Sequence, residues 1–466
     1  MRLKVRPLKY TLLAGVVVFT FSGINGYAQS SDDLFSDLLE ETVSDDIVID
    51  DTVSTSGASL QAFSGYAELS PRIFLNDRNG YHNDEQVLLT TEFEFDVSLG
   101  QNTTGYIRPR LFLDLIDSDL QRLELFEGYI TYQQTHWDLR VGQFVENWGI
   151  ADTFNPIDVL NRRDLSTQLL DTTRLGEVGV RARWLLDGNG MIGEPTLAFY
   201  VLPWFQRTRF ALGRQRLGLG SETITFKEKQ GFEPDGDEAY LYALRYQSTL
   251  NTSLFNADIQ LVASRGTDRN PLIRPFNADI ADTLAPVYFG NRILGAGIRA
   301  VSNIEKLAAF TFKLEIAQNN PYEFEQSPVA VMDDYLAYVA GFDWDTYNLL
   351  NNQDQLTFTL EYAGESGVSQ AQSEAFPRPF SDDLITRLFW QSGDFARSSV
   401  ELRGVYDQEN DEHIIEATFG RSLIQWHQDL KLALSVLYIA SSSEPTATFS
   451  QLPDNTSLAM TLRFDF

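Results

Sequence analysis

Acids and arginines recur at a spacing of two along the first third of the chain, interleaved with apolar residues. Glu92, Glu94, Asp96, Asp114 and Glu127 stand in segments next to those carrying Arg108, Arg110, Arg140, Arg181 and Arg183. On extended backbone, residues of one parity share a face, so these segments would build a wall of mixed charge. Such a wall can set up a transverse field that orients polar solutes at a constriction. Alternatively, its members pair with one another and stabilise a filled interior. The residues alone leave both readings open.

Other chemistry is absent. His82, His136, His413 and His427 are scattered without metal-ligand spacing. There is no nucleophile-elbow pattern and no phosphate-binding glycine loop. A barrel-borne hydrolase would need a histidine set against a serine or carboxylate, and His82, beside Asp84 and Glu85, is the one candidate in an early loop. The chain therefore reads as a non-enzyme with no metal and no cofactor. With no cysteine, disulfides, thiol catalysis and lipidation at a cysteine are excluded. The formal charge of −29 argues against a nucleic-acid partner, which needs a basic face.

Period-two patterning must position these groups. The last ten residues place Leu458, Met460, Leu462, Phe464 and Phe466 on one face, and Ala459, Thr461, Arg463 and Asp465 on the other. That pattern suits a closing strand with lipid on one side and a wet lumen on the other. Bacterial outer-membrane barrels share this type of C-terminal strand. The resemblance implies handling by the barrel-assembly machinery, with Phe464 and Phe466 in the assembly signal. Residues 1–28 read as a secretory signal: four basic residues (Arg2, Lys4, Arg6, Lys9), a short apolar run and Gly26-Tyr27-Ala28 at the cleavage positions. Its removal leaves 32 basic against 65 acidic residues, a charge of −33.

The remainder divides into an acidic periplasmic leader, 29–61, and a barrel, 62–466. The leader carries nine acids and no base over 31–60, with a helical stripe at Leu34, Phe35, Leu38, Leu39 and Val43. From Ala62 onward alternation predicts about 18 strands, near 62–75, 86–99, 105–116, 122–133, 137–143, 174–186, 195–206, 238–249, 254–265, 292–302, 307–317, 335–347, 353–363, 385–392, 397–407, 411–421, 428–440 and 456–466. Short and long connections alternate, except for short links near Asp117 and Asp407. Pro109 and Pro203 fall inside strand patterns and are expected at a bulge or a rim. The fold class expected is all-β: a transmembrane antiparallel barrel of 16–18 strands in the outer membrane of a Gram-negative bacterium, with short periplasmic turns and long outer loops. Its surroundings would be outer-membrane lipid and lipopolysaccharide.

One segment stands apart: Arg140-Val141-Gly142-Gln143, then Glu146-Asn147-Trp148-Gly149, then Phe154-Asn155-Pro156-Ile157-Asp158. It resembles a family of uncharacterised Gram-negative outer-membrane proteins with an arginine–x–glycine step, a tryptophan–glycine pair and an asparagine–proline–x–aspartate turn. The resemblance implies an outer-membrane barrel, in some members associated with exporters of the resistance–nodulation–division type and with hydrophobic cargo. Read physically, the segment opens the third outer loop, 144–173. Asn155-Pro156 fits a turn that starts a short helix. The loop is expected to enter the lumen and to set Arg162 and Arg163 across from Glu92 and Glu94; the alternative is an outer lid held by its own ion pairs. A second cluster, Arg207, Arg209, Arg214 and Arg216, follows Trp204 and Phe205, an expected outer aromatic belt. It suits the phosphates of outer-leaflet lipid, or else it forms a soluble basic loop. The function expected is a porin-like channel or facilitator for small solutes. The second reading is a non-conducting accessory barrel partnering an inner-membrane exporter.

Overall fold

The computed structural model describes residues 58–75, 83–168, 170, 172–211, 215–218, 225–277, 280–302, 309–325, 327, 332–349, 353–369, 372, 380–440 and 456–466. The signal, the leader's expected helix, His82 and Arg214 lie outside them.

An 18-stranded sheet closes on itself. Its strands are β1 (Ser59–Phe74), β2 (Glu85–Gly100), β3 (Thr103–Asp114), β4 (Arg122–Gln133), β5 (Trp137–Phe144), β6 (Glu177–Leu185), β7 (Ile192–Leu202), β8 (Leu241–Asn251) and β9 (Phe255–Thr267). The second half comprises β10 (Gly290–Ser302), β11 (Ala309–Tyr322), β12 (Tyr335–Tyr347), β13 (Gln355–Ser366), β14 (Asp382–Gln391), β15 (Ser399–Asp407), β16 (Glu412–Ser422), β17 (Leu430–Ala440) and β18 (Ser457–Asp465). Each strand runs antiparallel to its chain neighbours. β18 returns to β1 with Leu69 opposite Leu462 and Ile73 opposite Leu458. Every expected strand is present, with ends shifted by a few residues.

The two faces invert the order of a soluble protein. On β11, Phe312, Leu314 and Ile316 are 56%, 46% and 39% exposed, whereas Thr311, Lys313 and Glu315 between them are 4%, 5% and 0% exposed. The same holds on β18, where Leu458, Met460 and Phe464 face outward. Apolar outside and charged inside is the arrangement of a transmembrane β-barrel, and closure satisfies the backbone groups that hydrocarbon cannot.

Loop length segregates by end. Tight turns join β2 to β3, β4 to β5 and β8 to β9, while long loops, including 145–176 and 203–240, gather at the opposite end. The links after β3 and β15 are the short outer ones. Both prolines sit where a missing donor is tolerated. The register of β3 on β4 shifts between Arg108 and Pro109. The bulge buries Phe126 beside Glu127 on the inner side, while Leu125 stays outward. Pro203 lies immediately past β7, at the rim.

Candidate functional site

The third outer loop enters the barrel, and its path is set by small inward residues. Trp148, Ile157 and Leu160 pack with Ala198, Tyr200, Ala243, Val262 and Ala317 on β7, β8, β9 and β11. Gly295 and Gly297 on β10 complete the bed. A Cβ on Gly295 would lie 2.6 Å from Ile157, and one on Gly297 would lie 2.7 Å from Ile150. Further along, Ala151 packs with Val339, Ala363, Ile385 and Val405 from β12 to β15. The segment 145–176 therefore lies against the inner wall over many strands.

Wall carboxylates hold its backbone. The amides of Ile150 and Ala151 donate to Glu315, the second at 2.9 Å, and the amide of Asp152 donates to Glu361 at 3.0 Å. The side chains of Glu315 and Glu361 are fully buried. Lys313, two residues before Glu315 on β11, lies 2.8 Å from both Asp152 and Asp343 and 3.6 Å from Glu361. Burial raises the Asp152 carboxyl, but the Lys313 ammonium outweighs it and holds the group below the ordinary aspartate range. At the loop's far end, Arg72 on β1 donates to the Thr167 carbonyl at 3.2 Å.

The motif residues build this loop. Asp158 is the hub: Arg163 and Arg174 each reach its carboxylate at 2.8 Å, and Asn161 donates to it at 2.7 Å. Trp148 stacks edge-on against Tyr200 at 5.2 Å. Gly149 has φ +110° and its missing Cβ would fall 2.0 Å from the Asn155 side-chain oxygen. Gly142 on β5 has φ +140° and backs onto the carbonyl of Gly128. The expected helix at Asn155-Pro156 does not form. A turn closes instead, with the Asp158 amide donating to the Asn155 carbonyl at 3.0 Å, because the hub pulls the chain back toward Arg163 and Arg174.

Arg162 and Arg163 do not face Glu92 and Glu94. Arg163 is taken by Asp158, while Arg162 donates to the carbonyls of Arg207 and Gly176 and lies 3.8 Å from Glu177. Both belong to a short strand, Arg162–Leu165, within a three-stranded sheet with Thr173–Leu175 and Arg209–Phe210. Glu92 is instead met by Arg108 and Arg110, each at 2.5 Å. Arg108 also reaches Glu94 at 3.3 Å and Glu127 at 3.4 Å. Arg181 bridges Asp138 and Glu146 at 2.7 and 2.6 Å, Arg183 joins Asp138, and Arg140 lies 3.5 Å from Glu146. Glu92, Glu94, Glu127, Asp138 and Glu146 thus pair directly with the arginines of this wall, while Asp96 is exposed. Asp114 is not part of it: its carboxylate accepts the amides of Ile116 and Asp117 and caps the following turn.

Among the described residues of the second arginine cluster, each arginine is met by a carboxylate of the chain itself. Arg209 binds Glu124 at 2.5 Å and Asp164 at 2.7 Å, Arg216 is buried with Asp84 at 3.1 Å, and Arg207 pairs with Glu233. These carboxylates come from β4 and from three outer loops. Phe205 likewise leaves the expected belt and packs on Tyr288 at 4.5 Å, whereas Trp204 is 62% exposed. Sequence reasoning missed Lys313, Glu315 and Glu361 as loop anchors. The available signal was their inward parity, with Lys313 and Glu315 alternating with Phe312 and Leu314, and Glu361 lying between Leu360 and Tyr362.

No family model and no curated protein sequence matches the chain, so the family resemblance read from Arg140 to Asp158 is not shown by comparison. Solved structures do match. OccK2 (OpdF) of Pseudomonas aeruginosa is 10% identical, covers 87% of this chain and 96% of its own, and gives a TM-score of 0.51. OccK3 (OpdO) of Pseudomonas aeruginosa is 12% identical over 87% of this chain and 95% of its own, at 0.50. OccD3 (OpdP) of the same organism is 9% identical over 88% and 91%, at 0.50. What is shared at such identities is the fold, a closed antiparallel β-barrel.

Proposed function

We propose that the chain is an outer-membrane channel or facilitator for small solutes, narrowed by residues 145–176. The carrying observation is that this loop is tied by Glu315, Glu361 and Lys313 to the inner wall rather than folded over the outer rim. A ring of 18 strands is wide enough to hold a passage beside such a loop. Solutes would pass along inward polar residues such as Ser70 and Thr461, whose hydroxyls lie 2.9 Å apart. Reconstituted into a planar bilayer, the protein should conduct, and a variant lacking residues 150–170 should conduct more. Electrical silence of both would remove the channel reading.

A second reading has one observation in its favour. Phe395 and Trp426, at the short-turn end, are 92% and 78% exposed. Such aromatics suit a periplasmic partner, as an accessory barrel of an inner-membrane exporter would need. Co-purification with that exporter, together with absent conductance, would select this reading.

A further inference from the structure

Two arginines stand on the outward face of the barrel at its outer rim. On β9, Leu261 faces lipid, and Arg265 repeats its parity two residues from the strand's end. On β10, Leu294 faces lipid, and Arg292 lies two residues nearer the rim. Both arginines are exposed, and the register sets them directly opposite each other. Among the described residues of the barrel strands, Arg421 on β16 is the one other base of outward parity, and it lies at the short-turn end. Arginines that turn inward at the outer end are held by carboxylates, as Arg269 is by Glu177 at 3.3 Å. Arg265 and Arg292 make no ion pair among the described residues, and Arg292 lies over the Tyr322 ring at 5.2 Å.

Like charges directly opposite each other on a sheet repel, and a charge on the lipid face is tolerated only near the interface. The depth of this pair is marked on both sides. Tyr242 on β8 stands opposite Arg265, an aromatic at the level where such rings meet headgroups. One step toward the midplane, Leu244, Ala263 and Leu294 form an apolar row in register. We propose that Arg265 and Arg292 together clamp a phosphate of an outer-leaflet lipid, whose acyl chains lie on that row. A guanidinium fork donates two parallel hydrogen bonds to a phosphoryl group, and two forks on paired strands can share one such group, which removes their repulsion. The Tyr322 ring holds Arg292 through its π face and leaves the N–H donors to the ligand. The site requires a barrel in the outer membrane but is independent of whether the lumen conducts.

Native mass spectrometry of the detergent-purified full chain, stripped of lipid and titrated with diphosphorylated lipid A, tests the assignment. A saturable one-to-one complex is expected, with dephosphorylated lipid A at least tenfold weaker. Arg265→Gln/Arg292→Gln should weaken the complex by a similar factor while keeping the compact, heat-modifiable band of a folded barrel, and Arg421→Gln should retain it. Equal binding of the phosphate-free lipid by the parent overturns the proposal without recourse to any variant. Equal binding by the double variant also overturns it, as does an equal loss in Arg421→Gln, which would make binding a matter of overall charge. Displacement of the lipid by millimolar inorganic phosphate would assign the pair to a free anion and overturn the lipid assignment.

Discussion

Gly149 has no room for a side chain. Its φ of +110° disfavours any L-residue, and a Cβ would collide with the Asn155 side chain. Gly149→Ala should therefore destabilise the third loop by about 1–3 kcal/mol without unfolding the barrel, whose strands it does not touch. Arg162 and Arg163 provide the readout, because both are partly buried and hydrogen-bonded in the native loop. Trypsin should nick the variant there and spare the parent. Equal resistance would mean that the turn tolerates the methyl group. Residue types were legible at this scale, but roles were not. Asp158 was part of the recognised motif, yet its position at the centre of Arg163, Arg174 and Asn161 depends on how the loop doubles back, which no local pattern encodes.

Strands were legible because lipid and lumen impose a strict period of two, and the loops obey no comparable rule. The pairing of Arg209–Phe210 with Asp164–Leu165 is parallel and joins two separate outer loops. The latch of the third loop is equally non-local. Glu315 and Glu361 accept backbone amides with fully buried carboxyl oxygens, and a buried donor left unpaired costs about 1–3 kcal/mol. Glu315→Ala/Glu361→Ala removes the acceptors of the Ile150, Ala151 and Asp152 amides, so it should loosen the latch by about 1–3 kcal/mol per amide and raise current noise in bilayer recordings. A recording as quiet as the parent's would show that apolar packing alone holds the loop.

Acid acts on the same element through Asp152 and Asp164. Burial raises the Asp164 carboxyl, but Arg209 and Arg122 outweigh it and hold it below the ordinary range, as Lys313 does for Asp152. A carboxyl whose folded value is depressed stabilises fully above its unfolded value. That contribution is lost only as pH falls through the folded one. The Asp152 and Asp164 contacts should thus persist from pH 7 to about pH 4 and be lost in stronger acid. The chain has no cysteine, so a spin label on Gln168→Cys can report the loss. Mobilisation between pH 7 and pH 5 would contradict the assignment.

At the scale of the whole molecule, the barrel depends on one seam. Every other strand pair is a hairpin or a loop-joined neighbour, but β1 and β18 must meet from opposite ends of the chain. Closure is sealed at Gly65, whose amide donates to the Phe466 carbonyl at 2.8 Å and whose carbonyl accepts the Phe466 amide at 2.9 Å. The Phe466 ring packs against Phe63 at 5.9 Å and Phe93 at 5.7 Å, over a position where only glycine leaves space for it. The alternation of the last strand announced this end as the closing one. The seat in β1 was hidden, because Gly65 reads in sequence as an ordinary strand glycine. Deleting Phe466 removes both hydrogen bonds and the ring, leaving polar backbone open at a lipid-facing seam, where each unsatisfied group costs several kcal/mol. Refolding into liposomes should slow and yield less heat-modifiable barrel. Restoring the residue as Tyr should recover most of the yield, since it returns the ring and the backbone pair together, whereas an unchanged rate on deletion would show that Leu69–Leu462 and its neighbours close the ring unaided.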